Sequence, residues 1–305
     1  MTERAPVQKK RWIIAAAAAL VVIVIVILAL RPSNLPPVLP NPNGYDDLVK
    51  AGAQVSEFQR NYRELSEPEL RQVVVSNAPA LDLMRTGLGH QCRVPIENSP
   101  DFMARHLPRL SIMKRLALAL AAEGRLAETD GDTNRAVHCY VDAIRLGHEA
   151  GRDGLLIDAM VGLACEAIGM VPLEKAEGAL SAADCRRVIQ ELQAIEARRQ
   201  PAEETLRIER KWSHETFGFL MRVQGMIAAR TSDPIGKIFK SHATKVKAAR
   251  ARQSEILIAL ATRAFKLEKG RLPSSLSELV PDYLSALPPD LATNAVAAVG
   301  TVPKD

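Results

Sequence analysis

Trp12 to Leu30 reads WIIAAAAALVVIVIVILAL, 19 residues without a charge. As an α-helix rising ~1.5 Å per residue it is about 28 Å long, close to the ~30 Å hydrocarbon core of a bilayer. Arg4, Lys9, Lys10 and Arg11 precede it, and only Arg31 follows closely. The positive-inside rule keeps residues 1–11 in the cytoplasm as a basic tail and sends the rest across. The expectation is a single-pass signal anchor, with one transmembrane helix at residues 12–30. The lipid bilayer is then its first partner, and the bulk of the chain lies on the exported side. A cleaved signal peptide competes with this reading. Its apolar region is usually ~7–15 residues long and ends at a small-x-small site. Here the run is longer and ends Ile27-Leu28-Ala29-Leu30-Arg31-Pro32.

Residues 31–43 form a proline-rich linker. Pro32, Pro36, Pro37, Pro40 and Pro42 forbid a continued helix and favour polyproline II. At ~3.1 Å per residue the linker spans about 35 Å. Beyond it, aromatic content is low, at 4% of the chain, and helix formers dominate. The soluble part therefore reads as all-α, a multi-helix antiparallel hairpin domain over residues 44–270.

The helix signals come in order. A first helix is expected over about 45–63. Ser66 and Glu69 have capping-box spacing and open a second, to about Met84, which Pro79 should kink or break. Residues 87–98 form a loop with His90 and Cys92. Ser99-Pro100 opens a third helix to about Glu128, interrupted early by Pro108. After the turn at Asp130-Gly131-Asp132 another runs to about Ala150. Asp153 is the expected cap of the next, to about Met170. Ser181 with Asp184 caps one to about Arg199, and Pro201 with Glu203 and Glu204 starts one to about Arg230, its acids at the positive end of the dipole. One or two helices then span 235–269 and stop at Gly270. Short connections favour antiparallel neighbours. Residues 271–305 hold a capping box at Ser275 and Glu278, then Tyr283, Leu284 and Leu287, which can fold back onto the core, and a tail expected to fray.

Gly124, Ala136, Tyr140 and Ala143 have the spacing of one tetratricopeptide-like hairpin. A shift by the 34-residue period gives Asp158, Met170, Glu174 and Glu177, which do not continue the pattern. An isolated αα-hairpin is the expectation, not an array.

Several stretches resemble a group of uncharacterised single-pass bacterial membrane proteins. They are Asn43-Gly44-Tyr45-Asp46-Asp47-Leu48 after an anchor and linker, Ala122-Glu123-Gly124-Arg125-Leu126-Ala127, and Gly154-Leu155-Leu156-Ile157-Asp158. The last is Leu272-Pro273-x-Ser275-Leu276-x-Glu278-Leu279-Val280-Pro281-x-Tyr283-Leu284, then Leu287-Pro288-x-Asp290. The resemblance spans most of the chain and implies an anchored helical domain of the bacterial cell envelope, held in the inner (cytoplasmic) membrane. It implies no particular reaction. Relatives continue from the final Asp into Pro-Phe and a closing strand, where this sequence reads Asp290-Leu291-Ala292.

Charge and motif narrow the function. The formal charge is +5, concentrated in the N-terminal tail and in Lys237, Lys240, Lys245, Lys247, Arg250 and Arg252, a run without an acid. That is not the footprint of a nucleic-acid binder, and no nucleic-acid partner is expected. The run reads as a solvated helix face, or as a docking site for anionic headgroups or an acidic partner. No Walker loop, GxGxxG, GxSxG or HExxH occurs, so no catalytic residues, cofactor or metal are assigned. Cys92, Cys139, Cys165 and Cys185 show no CxxC spacing. Buried free thiols and a disulfide are both open, with Cys92 the candidate for one end. The reading is a non-enzymatic, membrane-anchored interaction or scaffold protein with an unknown protein partner. The alternatives are an envelope enzyme, whose site would gather His90, His138, His214 or nearby acids only in the fold, and a structural subunit of a secretion-like assembly.

Overall fold

The computed structural model describes residues 38–56, 61–231 and 234–287. The anchor at 12–30, most of the linker and the tail from 288 lie outside the described residues. The chain divides into two compact units, Met1–Val38 and Leu39–Asp305, and the second holds the helical domain. Among the described residues there are eight α-helices and no strand, as an all-α reading requires.

Helix α1 is Gly44–Gln54, α2 Glu67–Leu88, α3 Phe102–Thr129, α4 Thr133–Ala150 and α5 Leu156–Ala176. Helix α6 is Ala182–Glu196, α7 Ala202–Thr231 and α8 Pro234–Lys269. Three short 3₁₀ turns, Tyr62–Glu64, Glu177–Ala179 and Leu276–Leu279, fill connections. Several helix starts are capped, at Ser66 with Glu69 and at Ser181 as expected. Asn43 accepts from the Tyr45 amide, Glu69 from the Ser66 amide at 2.8 Å, Asp132 from Arg135 and Ser181 from Asp184.

Other expectations are corrected. The first helix ends at Gln54, and Tyr62–Glu64 is a separate turn. Pro79 and Pro108 lie inside α2 and α3, and Pro172 inside α5, without ending them. A proline removes one ladder bond, and packing on both sides of these long helices outweighs that local cost. Asp153 is not the cap of α5. It stands in the turn with φ 54°, and Asp158 instead accepts from the Leu155 amide at 2.8 Å. Helix α7 departs from helical geometry at Gly218, where φ is 68°. Residues 234–269 form one helix.

Two apolar cores lie on either side of a helical spine. Ala136, Val137, Tyr140, Val141 and Ile144 of α4 face a core completed by α5, α6, α8 and the C-terminal segment. Ala143, Leu146 and Ala150 of the same helix face a second core built with α1, α2 and α3. Tyr283 and Leu284 are buried in the first core, so the C-terminal segment does fold back. The spine is tight because α4 and α5 meet at glycines. A Cβ on Gly147 would lie 2.4 Å from the Gly162 carbonyl oxygen, and one on Gly162 would lie 2.4 Å from that of Gly147. Gly124 of α3 likewise leaves room for the Tyr140 ring, which a Cβ would meet at 2.3 Å. The hairpin marked in the sequence by Gly124, Ala136 and Tyr140 is thus a close-packed pair.

Helix α5 is the one described helix long and apolar enough to cross a membrane, with mean hydropathy 1.7 over its most apolar 18 residues. In this fold it is a central helix of the domain, packed against α3, α4 and α8. It also carries Asp158 and Glu166, both buried and both paired.

Candidate functional site

The residues singled out in the sequence do not converge. His90 lies at the end of α2, its Nδ1 3.5 Å from an Asp47 oxygen. His138 is exposed on α4, and His214 is half-buried on α7. Trp212 on the same helix donates its indole N–H to the Glu97 carbonyl at 3.0 Å and packs on Phe102, a structural role. Among the described residues no three His, Cys, Asp or Glu side chains gather as they would around a metal ion.

The basic run divides. Lys237, Lys240, Lys245 and Lys247 are exposed on α8. Arg250 pairs with Glu196 at 2.9 Å, and Arg252 pairs with Glu174. These two arginines belong to the packing of α8 on α5 and α6, a role invisible in a local reading because their acids lie far back in the chain.

All four cysteines are buried free thiols. The Cys92 disulfide is not formed. Its thiol is fully buried and points at the Gly87 carbonyl at 3.7 Å. Burial pushes the Cys92 and Cys165 thiols up to about 12 and that of Cys185 to about 11. Each packs as a small hydrophobe.

Three polar constructions do form inside the domain. At the start of α5, His106 Nε2 lies 2.6 Å from Asp158 Oδ1, both side chains fully buried. Phe102 stacks on the imidazole at 4.7 Å, and Glu209 accepts from the Leu156 amide at 2.9 Å. Every oxygen used here closes a helix end or ties α3 and α7 to α5. On the opposite side, Arg85 of α2 bridges Glu123 at 2.7 Å and Asp142 at 2.9 Å, linking three helices.

The third construction surrounds a cavity where α4, α5, α7 and α8 meet the Arg198–Gln200 loop. Arg199, 6% exposed, sends its Nη1 and Nη2 to the two oxygens of Glu166, 3% exposed, at 3.1 and 2.8 Å. Its Nε reaches Glu196 at 2.6 Å. Burial opposes the Arg199 cation, but Glu166 and Glu196 outweigh it and hold it above its ordinary range. Burial raises the Glu166 carboxyl despite that partner. His148 and His242 also line the cavity and are both buried. Neither ring nitrogen of His148, nor Nδ1 of His242, has a hydrogen-bond partner among the described residues. Burial, then Arg199, Arg152, Arg198 and Arg250, pushes the His148 imidazole down to about 3.

A more open groove runs over the hairpins. It is about 240 Å³ in volume, floored by Tyr62 and Tyr140 and edged by Arg63, Arg125 and Lys175. Arg125 crosses it to the Tyr62 carbonyl.

Comparison of the chain with protein families, with curated proteins and with solved structures finds no match.

Proposed function

We propose that this chain is a membrane-anchored α-helical interaction or scaffold protein of the bacterial cell envelope. In this reading Trp12–Leu30 crosses the inner membrane, residues 1–11 stay in the cytoplasm, and a proline-rich spacer presents the helical domain on the exported side. The charge-free run of 19 residues behind four basic residues supports the topology. The resemblance to single-pass bacterial membrane proteins supports the same arrangement.

The observation that carries the interaction role is the groove over the α3, α4 and α5 hairpins. Tyrosine floors and arginine rims are the composition of protein-binding surfaces, because rigid rings and planar guanidinium groups bury contact area at low entropic cost. The exposed lysines of α8 add attraction toward an acidic partner or anionic surface. A catalytic role for His90, His138 and His214 has no support in their placement on three separated elements.

The test is co-purification in mild detergent of the full-length protein from its native membrane. It is run beside a variant in which a cleavable export signal replaces residues 1–38 and a full-length Arg63→Glu/Lys175→Glu variant. Truncation at 38 spares Asn43, which caps α1 and accepts from the Arg93 amide at 2.9 Å. A stoichiometric partner is expected with the first two and not with the charge-reversed groove. Isolation of all three as partnerless monomers overturns the reading.

A further inference from the structure

We infer that the cavity between α4, α5 and α8 is a binding site for a small oxyanion, held by His148, His242, Arg152 and Arg198. The inference goes beyond the interaction role and does not depend on it. Three observations carry it. The first is unused hydrogen-bonding capacity: His148 is 9% exposed and His242 2%, and three of their ring nitrogens have no partner among the described residues. Buried polar atoms left this way cost free energy unless a ligand or water meets them. The second is charge. Arg152, Arg198, Arg199 and Arg250 stand against Glu149, Glu166 and Glu196, so the positive charges exceed the negative ones before either histidine takes a proton. A cation entering here would meet the same arginines that keep His148 neutral, so the field selects an anion. The third is size and access. The cavity measures about 50 Å³. A water-sized centre takes ~10–15 Å³, so there is space for roughly four such atoms, the dimensions of a phosphate or carboxylate group. Arg198, 47% exposed, stands at the mouth, and buried His148 forms the floor.

Arg199 is not counted as a ligand. Its fork is spent on Glu166 and Glu196, and its part is to fix the wall that orients Arg198 beside it. An anion between the histidines favours their protonated form, so binding tightens below neutral pH. The groups that set this dependence are Glu149 on α4, Arg152 after it, Glu166 on α5, Arg198 and Arg199 after α6, and Lys245 and Arg250 on α8.

The test uses the full-length chain in detergent, in a buffer free of phosphate and sulfate, with ¹³C-labelled histidine. Inorganic phosphate, acetate and glycerol phosphate are titrated against sodium chloride at matched ionic strength, and the His148 ring resonances and thermal midpoint are followed. A saturable His148 shift with inorganic phosphate alone identifies a free-oxyanion site. The same shift with glycerol phosphate identifies a mouth open to a phosphate ester, and with acetate a carboxylate site. In each case Arg198→Ala is expected to weaken binding about tenfold or more, the loss of one charged hydrogen bond. Arg198 is at the rim, so this variant keeps the fold, and His148→Phe serves as the second. If none of the three anions produces a saturable shift beyond that of chloride, the inference fails. It also fails if Arg198→Ala and His148→Phe bind with wild-type affinity.

Discussion

The Glu166–Arg199 pair offers the sharpest test of how the domain is held. Arg199→Met removes the fork that meets both oxygens of a carboxyl group 3% exposed on a central helix. A buried charge stripped of its partner costs about 3–5 kcal/mol. Glu166→Met is expected to cost less, roughly 1.5–3 kcal/mol, the range of a hydrogen bond to a charged group. The reason is that Arg199 still reaches Glu196 at 2.6 Å and Gln253 at 3.3 Å. The Glu166 Cγ packs close to Gly147, and methionine matches the unbranched reach of glutamate, so that contact survives. In the double variant no charge is orphaned at position 166, and an apolar pair is often close to neutral. It should therefore be more stable than Arg199→Met alone. The assay is urea unfolding at pH 7, followed by far-UV circular dichroism on the full-length chain and read as a double-mutant cycle. The pH adds a second signature. Glu166 is already raised in the native state, and loss of Arg199 raises it further. The native state then binds the extra proton, so stability falls as pH rises through that window, and the Arg199→Met deficit should shrink as pH drops from 7 toward 5. Additive single effects within ~0.5 kcal/mol, with no such pH dependence, would refute the reasoning.

His148 titrates in the opposite sense. Its native value is depressed, so the unfolded chain binds the extra proton and stability is lost as pH falls below ~6.5. From pH 7 to 5 that loss is ~2 kcal/mol, and His148→Phe should flatten this part of a stability-against-pH curve. Gly162→Ala should destabilise the fold by ~1–3 kcal/mol in a thermal melt, because its Cβ would press on the Gly147 carbonyl. Gly178→Ala, with open space around the added Cβ, should leave the midpoint unchanged or slightly higher. A thiol reagent at pH 8 should modify none of the four cysteines in the native protein and all four in denaturant, read by mass spectrometry, since each thiol is buried and raised.

Helix boundaries were legible where a side chain could act on its own backbone. Ser66 with Glu69, Asp132, Ser181 and the stop at Gly270 all announce themselves within four residues. Pro79 and Pro108 misled as helix breaks, because their cost is local while the packing that outweighs it is not. The same distinction separates Arg250 and Arg252 from their lysine neighbours. The cavity was hidden for a related reason. His148, Glu166, Arg198 and His242 are spread along the chain on different elements, and each alone reads as an ordinary polar residue. One clue was present. Glu166 sits inside LACEAIGM, a run with no other charge, and a lone carboxylate in an apolar helix calls for a partner.

The glycine contact between α4 and α5 has a consequence for how the domain opens. The two cores share that spine, each touching a different side of α4. Opening the spine itself means parting two backbones that lie in direct contact. Amide hydrogens along Tyr140–Ala150 and Gly162–Leu173 should therefore exchange last, through global unfolding alone. Peripheral elements such as α1 or the C-terminal segment can detach singly and leave that inner pair intact, so the domain breathes from its margins inward.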